Sequence, residues 1–136
     1  MHCMQPCLVV IDLDSRTKHP GAPDGVGNWA TLVATHGMAR TWVAHTPNGG
    51  QHWYYRADPN RPIGNGAGKL APGVDVRGRG GFVVAPPSVD YRGSCWWGAE
   101  GEPEWDALPI VPAVVHNLLN PSRDAARGYQ VIGYSP

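Results

Sequence analysis

Neither sign of charge predominates in these 136 residues: eleven acids balance eleven bases, and the pI is about 7.0. No basic tail or net positive field announces nucleic acid, and no acidic excess announces disorder, so any nucleic-acid contact has to come from a local patch. Cysteine is scarce, and three is an odd number, so no complete disulfide framework is implied. No apolar run approaches the ~20 residues of a membrane span. The N-terminus also lacks the basic start and apolar core of a signal peptide. A reduced, cytoplasmic setting with no membrane partner is expected. Glycine (18) and proline (14) are plentiful, which favours short strands and many turns over long helices. The chain is read as one domain, 1–136, long enough for a core of its own.

The other features are organised around residues 8–14, Leu-Val-Val-Ile-Asp-Leu-Asp. The β-branched run predicts a buried strand. Side chains alternate along a strand, so Asp12 and Asp14 share a face while Leu13 points the other way. Two adjacent carboxylates at the end of a buried strand repel each other and resist desolvation. A hard divalent cation removes both objections. A strand that merely ends in a polar turn is the plainer alternative.

Before this strand, His2, Cys3 and Cys7 invite a zinc reading, but a fourth ligand is missing and the spacing fits no common site. After it, residues 15–27 read as a loop. Asn28 is placed to cap a short helix with Trp29, Leu32, Val33 and His36 on one side, stopped by Gly37. Residues 40–46 and 51–56 predict a hairpin about Pro47-Asn48-Gly49-Gly50, since Asn-Gly is the strongest short turn signal. Residues 57–72 read as a glycine-rich loop. Its Gly64-Asn65-Gly66-Ala67-Gly68-Lys69 fails as a phosphate loop, because Ile63 and Leu70 stand where a glycine and a Ser or Thr are needed; it is read as a connector that brings Lys69 near an anion. Residues 73–77 predict a short strand with Val74 and Val76 on one face, Asp75 and Arg77 on the other. A turn at 78–81 leads to a buried strand at 82–85 and a stop at Pro86-Pro87-Ser88. A last strand is expected around Cys95-Trp96-Trp97, and a helix after Pro109 and Pro112 running through Val114, Val115, Leu118 and Leu119. Residues 120–136 carry weak signals and are expected to dock or fray.

If these strands are neighbours, Asp12, Asp14, Asp75, His52 and Arg77 gather on one face of a sheet. Three carboxylates suit a pair of Mg2+ or Mn2+ ions, and a histidine and an arginine suit the phosphates of a nucleotide. The turn Asn48-Gly49-Gly50 brings backbone amides within reach of an anion. Taken singly, His52 is an ordinary strand histidine and Asp75 a surface acid paired with Arg77 or Arg79.

Three motifs stand in order: Asp12-Leu13-Asp14; Thr46-Pro47-Asn48-Gly49-Gly50-Gln51-His52-Trp53-Tyr54-Tyr55; and Gly73-Val74-Asp75-Val76-Arg77-Gly78, followed by Gly80-Gly81-Phe82-Val83-Val84-Ala85-Pro86-Pro87-Ser88. Together, over about residues 8–97, they resemble the bifunctional DNA primase/polymerase (prim-pol) domain of plasmids, phages and prophages, within the archaeo-eukaryotic primase superfamily.

The resemblance implies an α+β fold: a mainly antiparallel catalytic sheet, like an RNA-recognition module, backed by helices. It implies that Asp12, Asp14 and Asp75 are catalytic and hold two Mg2+ or Mn2+ ions. It further implies that His52 contacts the phosphates of an incoming (d)NTP, with Arg77 a neighbouring candidate for phosphate or template. The other implied partners are a single-stranded DNA template and primer, and a separate replicative helicase. Trp53, Tyr54 or Tyr55 are available for template stacking, although core or sheet packing is the favoured role for these aromatics. Relatives usually have an αβ segment before the first acid motif; here that motif begins a few residues after Met1, so the segment is expected to be missing. Two other functions compete: a non-catalytic accessory that binds nucleotide or single-stranded DNA, and a metal-dependent phosphoesterase or nuclease.

Overall fold

The structure, a computed structural model, describes residues 2–3, 8–64, 68–79, 82–83, 85–87, 89–90 and 93–119. A short strand, β1 (His2–Cys3), precedes β2 (Leu8–Leu13), the strand expected from the apolar run. Helix α1 (Gly25–His36) follows, and then two hairpins: β3 (Val43–His45) with β4 (Gln51–Arg56), and β5 (Gly68–Ala71) with β6 (Val74–Arg77). The remaining elements are β7 (Phe82–Val83), β8 (Val89–Asp90), β9 (Gly93–Ser94), β10 (Trp96–Trp97), a 3-10 turn (Trp105–Ala107) and α2 (Ala113–Leu119). Six of the strands form one sheet in the order β10-β3-β4-β2-β6-β5, with every neighbouring pair antiparallel. The fold is α+β, mostly antiparallel sheet with two helices.

β2 lies inside the sheet because its residues are apolar on both faces for most of its length; Val9, Val10 and Ile11 are fully buried. Val9, Ile11 and Leu13 face the helices, together with Tyr55 of β4 and Val74 and Val76 of β6; Trp29 of α1 and Val115 of α2 close this core. On the other face Leu8 and Val10 join Ala44, Tyr54 and Leu108, and Trp42 and Trp97 pack against them. Tyr54 meets Trp97 and Trp105 edge-on, with ring centroids 5.2 and 5.8 Å away. This second core covers only the first half of β2. From Asp12 onward the same face is polar.

Helix α1 begins four residues earlier than the sequence suggests. Asp24, not Asn28, is the N-cap, its Oδ1 accepting from the Gly27 N–H at 3.0 Å. Asn28 instead donates its side-chain amide to the Pro72 carbonyl at 2.8 Å. The glycines at 25 and 27 disguise the helix start, yet Gly25 is required there: a Cβ on it would lie 2.0 Å from the Gly73 carbonyl oxygen and 2.8 Å from that of Asp14. Gly73 is constrained in turn, with a φ of 76° in the turn between β5 and β6. Gly37 ends α1 in the left-handed conformation, φ 62°, as expected.

Two other segments differ from their sequence reading. Residues 68–71 are not loop but an edge strand along β6, with an irregular register between Lys69 and Ala71. Phe82–Val83 pairs with β1 rather than with the main sheet, so it makes a separate two-stranded ribbon. The hairpin about residues 47–50 and a last strand at Trp96–Trp97 are as expected, and α2 starts directly after Pro112. Pro86 and Pro87 are joined by a cis peptide in a turn. Cys7 of the zinc reading, Asn65, Gly66 and Ala67 of the glycine-rich loop, Gly80 and Gly81 of the turn, Ser88 and the tail 120–136 lie outside the described residues.

Candidate active site

β2 lies between β4 and β6, and the register of both pairings converges on one residue. Asp12 is directly opposite His52 on β4 and directly opposite Asp75 on β6. Directly opposed residues in antiparallel strands project to the same face. Arg77, two residues beyond Asp75 and opposite Val10, shares that face. The sheet therefore brings Asp12, His52, Asp75 and Arg77 together where the apolar cover of that face ends.

Asp12 is the hub. His52 Nε2 lies 3.3 Å from its Oδ1, and the Arg77 Nε–H donates to its Oδ2 at 3.3 Å. Burial pushes the Asp12 carboxyl up, but hydrogen bonding and charge interaction with His52 and then Arg77 outweigh it and hold the group below its ordinary value. His52 is buried, at 7% exposure, and its Nδ1 has no hydrogen-bond partner among the described residues. The hydroxyl of Tyr54, two residues along the same face, is likewise buried without a partner.

The other two acids also have basic partners. Lys69 Nζ donates to Asp75 Oδ1 at 2.7 Å, and this bond raises the lysine above its ordinary value. Asp75 is thus paired with neither Arg77 nor Arg79, but with a lysine that the sequence places in a connector. Lys18 Nζ donates to Asp14 Oδ1 at 3.3 Å. Asp14 is held by its backbone: its N–H donates to the Gly73 carbonyl at 2.8 Å, and its carbonyl accepts from the Val26 N–H at 3.2 Å. The crossing of Gly25 over Gly73 thereby positions the second acid of the first motif.

The turn at 46–50 lies beside the loop after Asp14. The Thr17 hydroxyl donates to the Asn48 carbonyl at 2.7 Å, and a Cβ on Gly49 would lie 3.2 Å from the Ser15 hydroxyl. The Gly49 N–H donates to the Thr46 carbonyl at 3.1 Å. That amide is committed to the turn rather than offered to an anion. Gly50 lies against the end of β2, where a Cβ would be 2.6 Å from the Leu13 carbonyl oxygen.

The aromatic run beside His52 serves packing. Trp53 crosses Trp29 edge-on at 5.8 Å on the helix side and donates its Nε1–H to Gln51, while Tyr54 and Tyr55 are almost wholly buried. Among the described residues, the exposed aromatics are Trp96 and Trp105.

Asp12, Asp14 and Asp75 are hard oxygen donors of the kind Mg2+ and Mn2+ prefer, and Asp12 and Asp75 stand opposite each other on neighbouring strands. Among the described residues, no three His, Cys, Asp or Glu side chains are already grouped to hold one ion. Each of the three carboxylates is turned towards a base, Asp12 towards Arg77, Asp14 towards Lys18 and Asp75 towards Lys69.

Fold and site together define an α+β protein that presents opposed carboxylates, a histidine and an arginine on the polar half of an antiparallel sheet, chemistry suited to metal-bound polyphosphates. The chain belongs to the bifunctional DNA primase/polymerase family: the model of that family's N-terminal domain, Prim-Pol, matches residues 3–113. The match takes in all six strands of the main sheet and reaches the first residue of α2. Neither a curated protein nor a solved structure gives a significant match. No helix among the described residues is long and apolar enough to cross a membrane.

Proposed function

We propose that this chain catalyses template-directed nucleotidyl transfer. The 3′-hydroxyl of a primer, or of an initiating nucleotide, attacks the α-phosphorus of a (d)NTP. A P–O bond forms to the 3′-oxygen, the bond from the α-phosphorus to the β-phosphate oxygen breaks, pyrophosphate leaves, and the hydroxyl proton passes to solvent. The observation that carries this reading is the double register of Asp12, opposite both His52 and Asp75, in a chain of the primase/polymerase family.

Asp12, Asp14 and Asp75 would hold two Mg2+ or Mn2+ ions. When bound, these supply activation of the 3′-hydroxyl and neutralisation of the leaving pyrophosphate. Arg77 and Lys69, released from their carboxylates, turn to the triphosphate and orient it. His52 holds Asp12 in place through Nε2 and is positioned to share a phosphate contact. With the Gly49 amide committed to its turn, these side chains take the larger part in phosphate binding, and Asn48 and Gly50 flank them from the hairpin. The remaining partners are a single-stranded DNA template and primer and, in plasmid- or phage-type replication, a separate helicase.

The test is incorporation of labelled nucleotides with Mn2+ on primed and unprimed DNA, comparing the wild type with Asp12→Ala and Asp12→Ala/Asp14→Ala. We expect incorporation by the wild type and at least a ~100-fold loss in both variants, with the fold retained. Full activity in Asp12→Ala removes the metal assignment. A folded wild type that binds nucleotide and DNA but incorporates nothing identifies the accessory function instead. Release of mononucleotides from DNA identifies a nuclease.

A further inference from the structure

The two exposed aromatics, Trp96 on β10 and Trp105 in the 3-10 turn, have different surroundings. Trp105 is braced edge-on by Tyr54 and Trp97, and the stretch about it carries Glu100, Glu102, Glu104 and Asp106. Such a concentration of one sign repels a phosphate backbone. Trp96 instead lies almost parallel to the His45 imidazole, with ring centroids 5.6 Å apart and the planes inclined by 16°. Residues 93–99, which contain it, carry no charge. At 51% exposure, a ring backed by another on one face offers its second face to solvent. A flat, preset surface of this kind suits a nucleobase, because every base has a π-face.

The register ties this surface to the acids. Lys69, Asp75, Asp12, His52, Ala44 and Trp97 are opposed in turn across the six strands, so Trp97 ends the row that holds Asp12 and Asp75. β10 is the outermost strand on that side, and Trp96, one residue from Trp97, projects to the other face of the sheet. The rim therefore carries an aromatic ring on each of its faces. Three strand intervals separate Asp12 from it, or about 14 Å. A single strand rising about 3.4 Å per nucleotide covers that distance in about four nucleotides. A duplex, with a persistence length of about 150 base pairs, does not fold round such a rim.

We infer that Trp96, backed by His45, is a stacking platform for a base of the unpaired template strand, about four nucleotides from the acids, where that strand leaves the acid face round the β10 edge. The inference rests on the nucleotidyltransferase reading. It moves template stacking from the packed aromatics at 53–55 to the opposite end of the sheet row.

The test is equilibrium binding, with Mn2+, of labelled primer–template duplexes whose template overhang is either one or about eight nucleotides long. Wild type is compared with Trp96→Ala and Trp96→Phe. With the long overhang, Trp96→Ala should bind about five- to thirtyfold more weakly, as loss of one stacked base does, and Trp96→Phe should recover most of that loss. With the short overhang, all three proteins should bind alike, which also shows that the variants are folded. The slope of log affinity against log salt should be the same in wild type and Trp96→Ala, because a stacked base neutralises no phosphate. The inference is overturned if Trp96→Ala binds the long overhang as the wild type does, if it loses the short overhang equally, or if its salt slope is shallower. It is also overturned if the wild type self-associates and Trp96→Ala is monomeric with DNA binding intact; the platform is then an interface between copies. A wild type that binds neither DNA overturns the nucleotidyltransferase reading together with the inference, whereas an unaffected Trp96→Ala removes the platform alone.

Discussion

Gly25→Ala sets helix propensity against packing. Gly25 is the first residue of α1, and alanine is favoured over glycine in helices by at most about 1 kcal/mol. On that ground alone the substitution stabilises. The structure gives the opposite sign. The added methyl carbon would lie 2.0 Å from the Gly73 oxygen, 2.7 Å from its carbonyl carbon and 2.8 Å from the Asp14 oxygen. All three are backbone atoms, and none can swing aside as a side-chain tip can. The helix start must part from the β5–β6 turn, at an overpacking cost of about 1–3 kcal/mol. The same parting strains the bond from the Asp14 N–H to the Gly73 carbonyl, which contributes about 0.5–1.5 kcal/mol. The net expectation is a loss of about 1–3 kcal/mol, read as a fall of about 0.5–2 M in the urea midpoint at unchanged slope. Gly73→Ala fills the same gap from the other side, with its own penalty at φ 76°. The double variant should therefore lose less than the sum of the two, because the first substitution opens the gap for the second. A raised midpoint in Gly25→Ala, or strict additivity of the pair, refutes the close approach. Because Asp14 is tied to that crossing, nucleotide incorporation should fall in Gly25→Ala even at temperatures where the protein stays folded.

Three further expectations follow from the same geometry. Asp12 titrates below its ordinary 3.8 when folded, so as pH falls the unfolded chain takes up its proton first, and stability declines through the window from about 4 down to the folded value; the stability difference between wild type and Asp12→Asn, followed by denaturation at successive pH values, should be largest above that window and vanish below it. Lys69→Met frees the Asp75 carboxylate and removes a phosphate partner, so Mn2+ titrated alone should bind more tightly while nucleoside triphosphates bind more weakly; movement of both in one direction argues against the ion pair at 2.7 Å. Asp24→Ala removes the N-cap of α1 and should destabilise by about 1 kcal/mol in urea denaturation; an unchanged midpoint refutes the cap.

The parts legible in the sequence are those written in the strongest local patterns. The run at 8–14 has the apolar content of an inner strand and the alternation that puts Asp12 opposite in direction to Leu13. Asn48-Gly49 fixes a hairpin, and therefore the strand that holds His52. Val74 and Val76 alternate with Asp75 and Arg77. Each is a short-range regularity, and it was enough to anticipate the shared face of Asp12, His52, Asp75 and Arg77, given that the strands are neighbours. What stayed hidden depends on contacts between distant segments. Gly25 and Gly27 read as helix breakers until the crossing with Gly73 is seen. The edge strand at 68–71 has glycine at its start and an irregular register, so no alternation marks it; its signal was the Pro72-Gly73 turn that follows. Lys18 and Lys69 carry no motif, and their pairing with Asp14 and Asp75 comes only from loop geometry and strand order.

The alternation along β2 has one more consequence, for the fidelity of folding. Sliding this strand by one residue against β4 and β6 would turn Asp12 into the helix-side core and bring Ile11 and Leu13 out beside His52. A carboxylate buried there without its arginine and histidine costs several kcal/mol, a large share of the total stability of a domain this size. The polar and apolar faces of β2 thus proofread each other. A molecule in the wrong register lacks both its core and its acid cluster and is too unstable to persist, so the molecules that fold are those whose site is correctly assembled.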